Sequence, residues 1–306
     1  MGVLEQNRRR RMFLGQEGNQ LTYLIIFLAI IFVAFKFIYI IYLLSDMKDE
    51  LYRPDVHNWL TLPASLDQLL TRPWTILTYA FMHFKVWHAL GNLLWIWAFG
   101  FILQDLAGNN KIIPLFIYGA LAGGIIYLVS FNLLPVFKPS VPVSTLEGAS
   151  AGAMAIAVAA TTLAPNYRLF PMINGGIPLW VLTTVFVIID FASIDSTNPG
   201  GHLAHLAGAV VGFVFVRQLR RGHDWGAWMN NFATWLNNLF NPDKPKNRTP
   251  LKDQMFYKSK GEPYKKIPQI TQQRIDAILD KINQKGVHLL TEEEKEILKR
   301  AGEGEA

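Results

Sequence analysis

The chain has 306 residues, 51% hydrophobic and only 17% charged, with a mean hydropathy of +0.21. A soluble domain carries about 25% charged residues, so an ordinary soluble protein is excluded. Twenty Phe, 10 Tyr and 9 Trp exclude a largely disordered chain, and the lack of cysteine excludes disulfides, thiolate metal sites and cysteine nucleophiles. The net charge of +6 is unevenly placed: residues 217–306 hold 17 of the 29 Lys+Arg and 12 of the 23 Asp+Glu.

Residues 1–19 form a basic N-terminus with Arg8, Arg9, Arg10 and Arg11. The run Leu21–Leu44, interrupted only by Lys36, is long enough to cross a hydrocarbon core of about 30 Å. It is too long, and followed by too many other spans, for a cleaved signal peptide. The 45–85 connection mixes Trp59, Leu60, Leu62, Leu66, Leu69, Leu70 and Trp74 with polar residues, a pattern for short helices lying in a membrane interface. Five further apolar runs follow: Val86–Leu103, Ile112–Val129, Gly148–Ala164, Leu169–Ile189 and Gly200–Val216. Five such runs in succession are too many for one small soluble core. The expectation is an all-α polytopic membrane protein with six transmembrane helices over 20–216.

Lys and Arg set the orientation. Arg8–Arg11, Lys111, Arg168, Arg217, Arg220 and Arg221 fall on one side, which reads as cytoplasmic. Lys48, Arg53, Arg72, Lys85 and Lys138 fall on the other. An even helix count then puts both termini in the cytoplasm of a cell with this protein in its inner or plasma membrane. Helices 2, 4 and 6 would start together near the outer face.

Beyond the membrane domain, residues 217–240 read as an interfacial amphipathic helix, with Trp225, Trp228, Phe232, Trp235, Leu236 and Leu239 at helical spacing. A soluble core helix is the alternative. Residues 241–270 are a basic Pro/Lys-rich linker. Residues 217–274 carry 12 basic and 4 acidic groups, a belt suited to anionic lipid and lacking any nucleic-acid platform. Residues 271–306 read as a small cytoplasmic helical hairpin. Ile275, Ile278, Leu279 and Ile282 make one apolar stripe, Gly286 ends the helix, and Thr291 with Glu294 forms a capping box for the next.

Polar residues inside the apolar runs carry the chemistry. His83, His88 and Asn92 open helix 2, the last two on one face. Gly148, Ala149, Ser150, Ala151 and Gly152 open helix 4. His202, His205, Gly208 and Gly212 open helix 6, where the last three share a face and the glycines admit a close neighbour. Ser150 beside His205 has the parts of a nucleophile and its base, with His88, Asn92 and the Ser150 N–H as oxyanion donors. Singly, a membrane serine is usually a packing residue and a membrane histidine or asparagine a helix-pairing group; four histidines could also bind a metal. Metal binding would leave Ser150 and Asn92 without a role. Glu147 precedes its helix and points elsewhere, and no other acid is evident, so a dyad is read rather than a triad.

The same residues resemble the rhomboid family of intramembrane serine proteases. Arg72-Pro73-Trp74 to Thr78, then Phe81-Met82-His83, His88 and Asn92, are similar to its first loop and second helix. Gly148-Ala149-Ser150 resembles its nucleophile motif, and Ala204-His205-Leu206-Ala207-Gly208 with Gly212 its sixth helix. The resemblance spans about 20–216. It implies a six-helix bundle with Ser150 as nucleophile, His205 as base, His88 and Asn92 at the oxyanion hole, and His83 in support. Gly148, Gly208 and Gly212 would serve helix packing. It also implies single-pass membrane proteins as substrates and no metal or organic cofactor. Ala151 stands where the family often has Gly, and Met154 where a tyrosine can stack on the histidine, so His205 must be oriented by something else. Helix 5, Leu169–Phe191, is read as a substrate-side wall bearing nothing catalytic. The alternative from another class is a non-catalytic chaperone or sorting protein that binds transmembrane helices.

Overall fold

A computed structural model describes residues 18–45, 49–170, 172, 175–195, 198–239 and 272–302. Arg8–Arg11, Lys48, Pro171, Asn174 and the 241–270 linker lie outside the described residues. The chain forms two compact units, residues 1–240 and 241–306.

The first unit is built on helices. Helix α1 (Gln20–Leu44) is capped by Asn19, whose side chain accepts the Thr22 N–H at 3.0 Å. Short helices α2 (Asp49–Asp55), α3 (Leu66–Thr71) and α4 (Thr75–Thr78) occupy the following connection. Then come α5 (Val86–Ala107), α6 (Ile112–Leu133), α7 (Ser150–Leu163), α8 (Leu179–Ala192), α9 (Pro199–Arg220) and α10 (Ala227–Leu239). Two ladders interrupt them: β1 (Leu62–Pro63) pairs antiparallel with β2 (Thr145–Leu146), and β3 (Arg168–Leu169) with β4 (Ile177–Pro178).

Among the described residues, four helices are long and apolar enough to cross a membrane: α1, α5, α9, and α6 with the turn before it. Helices α7 and α8 have 14 residues each, about 21 Å at 1.5 Å per residue, less than a hydrocarbon core. Helix α7 is the packing centre. Its small side chains from Ala151 to Ala157 are buried among α5, α6 and α9. Around it Ile26, Ile30, Val33 and Phe37 of α1 and Ile188, Ile189 and Phe191 of α8 stand exposed, an apolar surface that suits lipid and not water.

The fifth apolar run differs from expectation. The sequence predicts a helix from Leu169, but Arg168–Leu169 pairs with Ile177–Pro178 as the β3–β4 ladder, with Phe170 at φ +53° and Gly175 and Gly176 at positive φ. The helix starts ten residues late, at Leu179 after Pro178. Hydropathy ran unbroken across a turn that glycine and proline had already set. The fourth helix begins at Ser150, not Gly148, because Gly148 sits at φ +116°, outside helical space.

Helix α10 buries none of its residues, and Trp228, Phe232 and Trp235 are exposed. It is held to the bundle by Trp228 Nε1 donating to Tyr118 Oη at 2.6 Å and by Asn230 Nδ2 donating to the Asn110 carbonyl at 2.9 Å.

In the second unit, α11 (Gln272–Lys285) and α12 (Glu292–Gly302) pair through Ile278, Leu290 and Ile297. Gly286, at φ +83°, ends α11. Thr291 N–H donates to Glu294 Oε2 at 2.8 Å and Glu294 N–H to Thr291 Oγ1 at 3.3 Å, a complete capping box.

Candidate active site

Small residues fix how α7 meets α9. A Cβ on Gly208 would strike the Ala151 carbonyl oxygen, and one on Gly212 the Ala155 carbonyl oxygen. Both steps are four residues, so the two helices run parallel in register. His205, one turn before Gly208, therefore lies level with the start of α7, where Ser150 is the first helical residue. On the opposite flank, Gly123 of α6 is 2.6 Å from the Ala151 Cβ and 3.2 Å from the Ala204 Cβ, reckoned from the Cβ it lacks.

Ser150 is partly exposed. As first residue of α7 its N–H has no intrahelical acceptor, and among the described residues nothing else accepts it. Such a helix start favours an anion. No hydrogen bond joins Ser150 Oγ to His205 among the described residues; in free enzymes such contacts are often long.

Three sequence-selected groups of the 83–92 segment converge on the turn before Ser150. His83 Nε2 lies 3.2 Å from the Ala149 N–H and 2.9 Å from Asn92 Nδ2, so it accepts from both. Burial, and then the neighbouring His88, lower the His83 pKa from 6.5 to about 4, so the ring is neutral and free to accept. Asn92 spends one amide hydrogen on His83 and keeps the other. His88 packs against Gly148, where a Cβ would lie 2.7 Å from its Cε1 and 3.1 Å from its Nε2. Both the positive φ and this contact demand glycine. The Gly148 N–H is tied to the Tyr79 carbonyl at 2.9 Å, and β1–β2 pins the long connection to the same segment.

Glu147 turns away from Ser150. Its Oε2 meets His57 Nε2 at 2.6 Å and its Oε1 accepts the Phe84 N–H at 3.4 Å. Burial opposes its ionisation, but these partners outweigh it and hold the carboxyl below its ordinary range.

One residue was missed. Asp190, on α8 and 5% exposed, places Oδ1 at 2.9 Å from His205 Nδ1 and 2.8 Å from His202 Nδ1. The readings that no acid accompanies His205, and that helix 5 carries nothing of the site, are corrected by this contact. The available signal was an ionisable residue in an otherwise apolar helix. Asp190, His202 and His205 bring three possible ligand atoms within 4.8 Å of one another.

A helical membrane domain of several apolar spans, with a partly exposed serine at a helix start and histidine and amide groups gathered at the turn before it, is the class that fold and site define. The profile of the Rhomboid domain matches residues 70–222, half of the chain. The chain belongs to the rhomboid family, and it is a multi-pass membrane protein. Similar proteins include RHOMBOID-like protein 12, mitochondrial, of Arabidopsis thaliana, 26% identical over 157 residues, 48% of this chain and 47% of the relative. Rhomboid protease GlpG of Klebsiella pneumoniae (strain 342) is 34% identical over 68 residues, 22% of this chain and 24% of the relative. That of Yersinia pestis (strain Pestoides F) is 35% identical over 69 residues. The chain thus spans from about a quarter to a half of the curated relatives it matches. Residues 262–302 match a family of unknown function, DUF6576.

Proposed function

We propose that this chain is an intramembrane serine endopeptidase that cleaves membrane-spanning helices of other proteins through a Ser150–His205 dyad. The parallel register of α7 and α9, which brings His205 opposite the turn before Ser150 where His88 and Asn92 gather, supports the reading. Ser150 Oγ attacks the scissile carbonyl carbon while its proton passes to His205 Nε2. The resulting oxyanion is met by the Ser150 N–H, the free Asn92 amide hydrogen and His88, at the positive end of α7. His205 returns the proton to the amine nitrogen as the C–N bond breaks. Water, deprotonated by His205, then hydrolyses the acyl ester and frees Ser150. His83 holds Asn92 and the Ala149 N–H in place. No step calls on a metal or organic cofactor.

In this reading the six apolar helices α1 and α5–α9 all cross the cell membrane, the shorter two within the protein interior or at its lipid edge. Lys111, Arg217, Arg220 and Arg221 put the far ends of α5, α7 and α9 in the cytoplasm, with both termini. The site then opens toward the outer face, where water and single-pass substrates enter. The 217–274 belt rests on anionic lipid. Co-reconstitution with single-pass model substrates tests the proposal. The wild type should release two fragments cut near the outer leaflet, and Ser150→Ala and His205→Ala should release none. Cleavage by Ser150→Ala would end the protease reading, and substrate binding without any cleavage would favour the non-catalytic alternative.

A further inference from the structure

The buried face of α8 is a single stripe: Leu179, Thr183 and Asp190 at i, i+4 and i+11. Thr183 Oγ1 meets Thr161 Oγ1 of α7 at 2.6 Å, fixing the first half of the helix. Asp190 fixes the other end through two histidines of α9. A carboxylate buried this deeply is costly unless it is well paired. Here Oδ1 receives both contacts while Oδ2, also buried, has no hydrogen-bond partner among the described residues. Packing alone would be served better by an apolar residue, so the cost points to a role for the charge itself.

Both contacts reach the histidines at Nδ1. A carboxylate oxygen only accepts, so each Nδ1 carries the hydrogen, and each neutral ring leaves Nε2 as a bare lone pair. For His205 that is the nitrogen needed to take a proton from Ser150. We infer that Asp190 is a positioning residue of the proposed protease site: it holds His205 in the base-competent tautomer and orientation, with His202 as a second donor that fixes the carboxylate. The geometric reason for two histidines is their spacing. Residues three apart on α9 lie on adjoining positions of one face, so a single oxygen reaches both. Asp190 also stabilises the imidazolium formed when His205 takes the serine proton, as the acid of a Ser-His-Asp triad does. It supplies from α8 the orientation that Met154 of α7 cannot.

The inference rests on the protease reading, and the test separates the two. Asp190→Asn, nearly isosteric, is made in the full chain together with Asp190→Glu. Losing the charge and allowing the wrong tautomer should lower kcat by ~10²-fold or more, by analogy with the triad acid, and leave KM within about threefold. The rate at which a fluorophosphonate labels Ser150 should fall in parallel, and Asp190→Glu should recover part of it. Nitrogen-15 spectra of histidine-labelled protein should show His205 shifting from the Nδ1–H to the Nε2–H form in Asp190→Asn, a change that a purely structural role would not produce. Wild-type kcat in Asp190→Asn, or a loss accompanied by lower thermal stability with unchanged His205 nitrogen signals, overturns the inference. In either case inactive Ser150→Ala and His205→Ala leave the protease reading standing, whereas an active Ser150→Ala removes that reading itself.

Discussion

Gly208→Ala adds one methyl group at the tightest point between α7 and α9. Its Cβ would overlap the Ala151 carbonyl oxygen and stand 3.0 Å from the Ala151 carbonyl carbon and 3.3 Å from its Cα. These are backbone atoms of a buried helix and cannot rotate aside. The helices must therefore separate by on the order of 1 Å, an overpacking that typically costs about 1–3 kcal/mol. The shift falls one turn from His205 and one residue from Ser150, and a misplacement of about 1 Å at reacting groups costs ~10²-fold in rate. Gly91→Ala is the internal control. It lies in α5 with nothing within 4 Å of the added Cβ, so the better helix propensity of Ala should stabilise by up to about 1 kcal/mol. The assay pairs thermal unfolding in detergent with cleavage of a model substrate. Gly208→Ala should melt several degrees lower and lose most activity, while Gly91→Ala should melt at or above the wild type and cleave normally. Equal melting and equal activity in the two variants would refute the close-contact account of how the dyad is assembled.

Asn92→Ala should lower kcat by ~10²-fold, the loss typical of one oxyanion donor, with KM little changed; an unaltered rate would take Asn92 out of the oxyanion site. The His83 ring, in the turn before α5, gives a pH signature. Unfolded, it protonates near 6.5; folded, burial delays this to about 4. Stability should therefore be full above pH 6.5, fall progressively down to about pH 4, and level off below. The gap corresponds to about 3 kcal/mol. Melting temperature against pH should show this slope in the wild type and lose it in His83→Gln; identical profiles would contradict the burial argument. Deleting residues 271–306 should leave cleavage of a model substrate intact, since every proposed catalytic atom precedes Val216 and the hairpin has its own apolar cluster. Complete loss in a correctly inserted truncation would make the tail part of the working enzyme.

What was legible in the sequence was mostly local. Apolar length placed α1, α5, α6 and α9 within a few residues of their ends, and Thr291, Glu294 and Gly286 announced the tail hairpin because capping chemistry needs no tertiary information. The small-residue row Gly208 and Gly212 gave the face on which α7 would lie. Two things were not legible. The β3–β4 hairpin hides within a continuous apolar run, since Leu169 and Phe170 are as greasy as the helix that follows. Asp190 could not be read as a partner because His202 and His205 are joined to it only by the packing of α8 on α9. Hydropathy reports which residues avoid water, but not which polar groups meet after the helices pack.

The most direct measurement is covalent labelling with a fluorophosphonate, followed by mass-spectrometric mapping of the modified residue. The account predicts one labelled site, Ser150, with labelling abolished in Ser150→Ala and strongly slowed in His205→Ala. Undiminished labelling of Ser150→Ala, or labelling of the wild type at another serine alone, would contradict it.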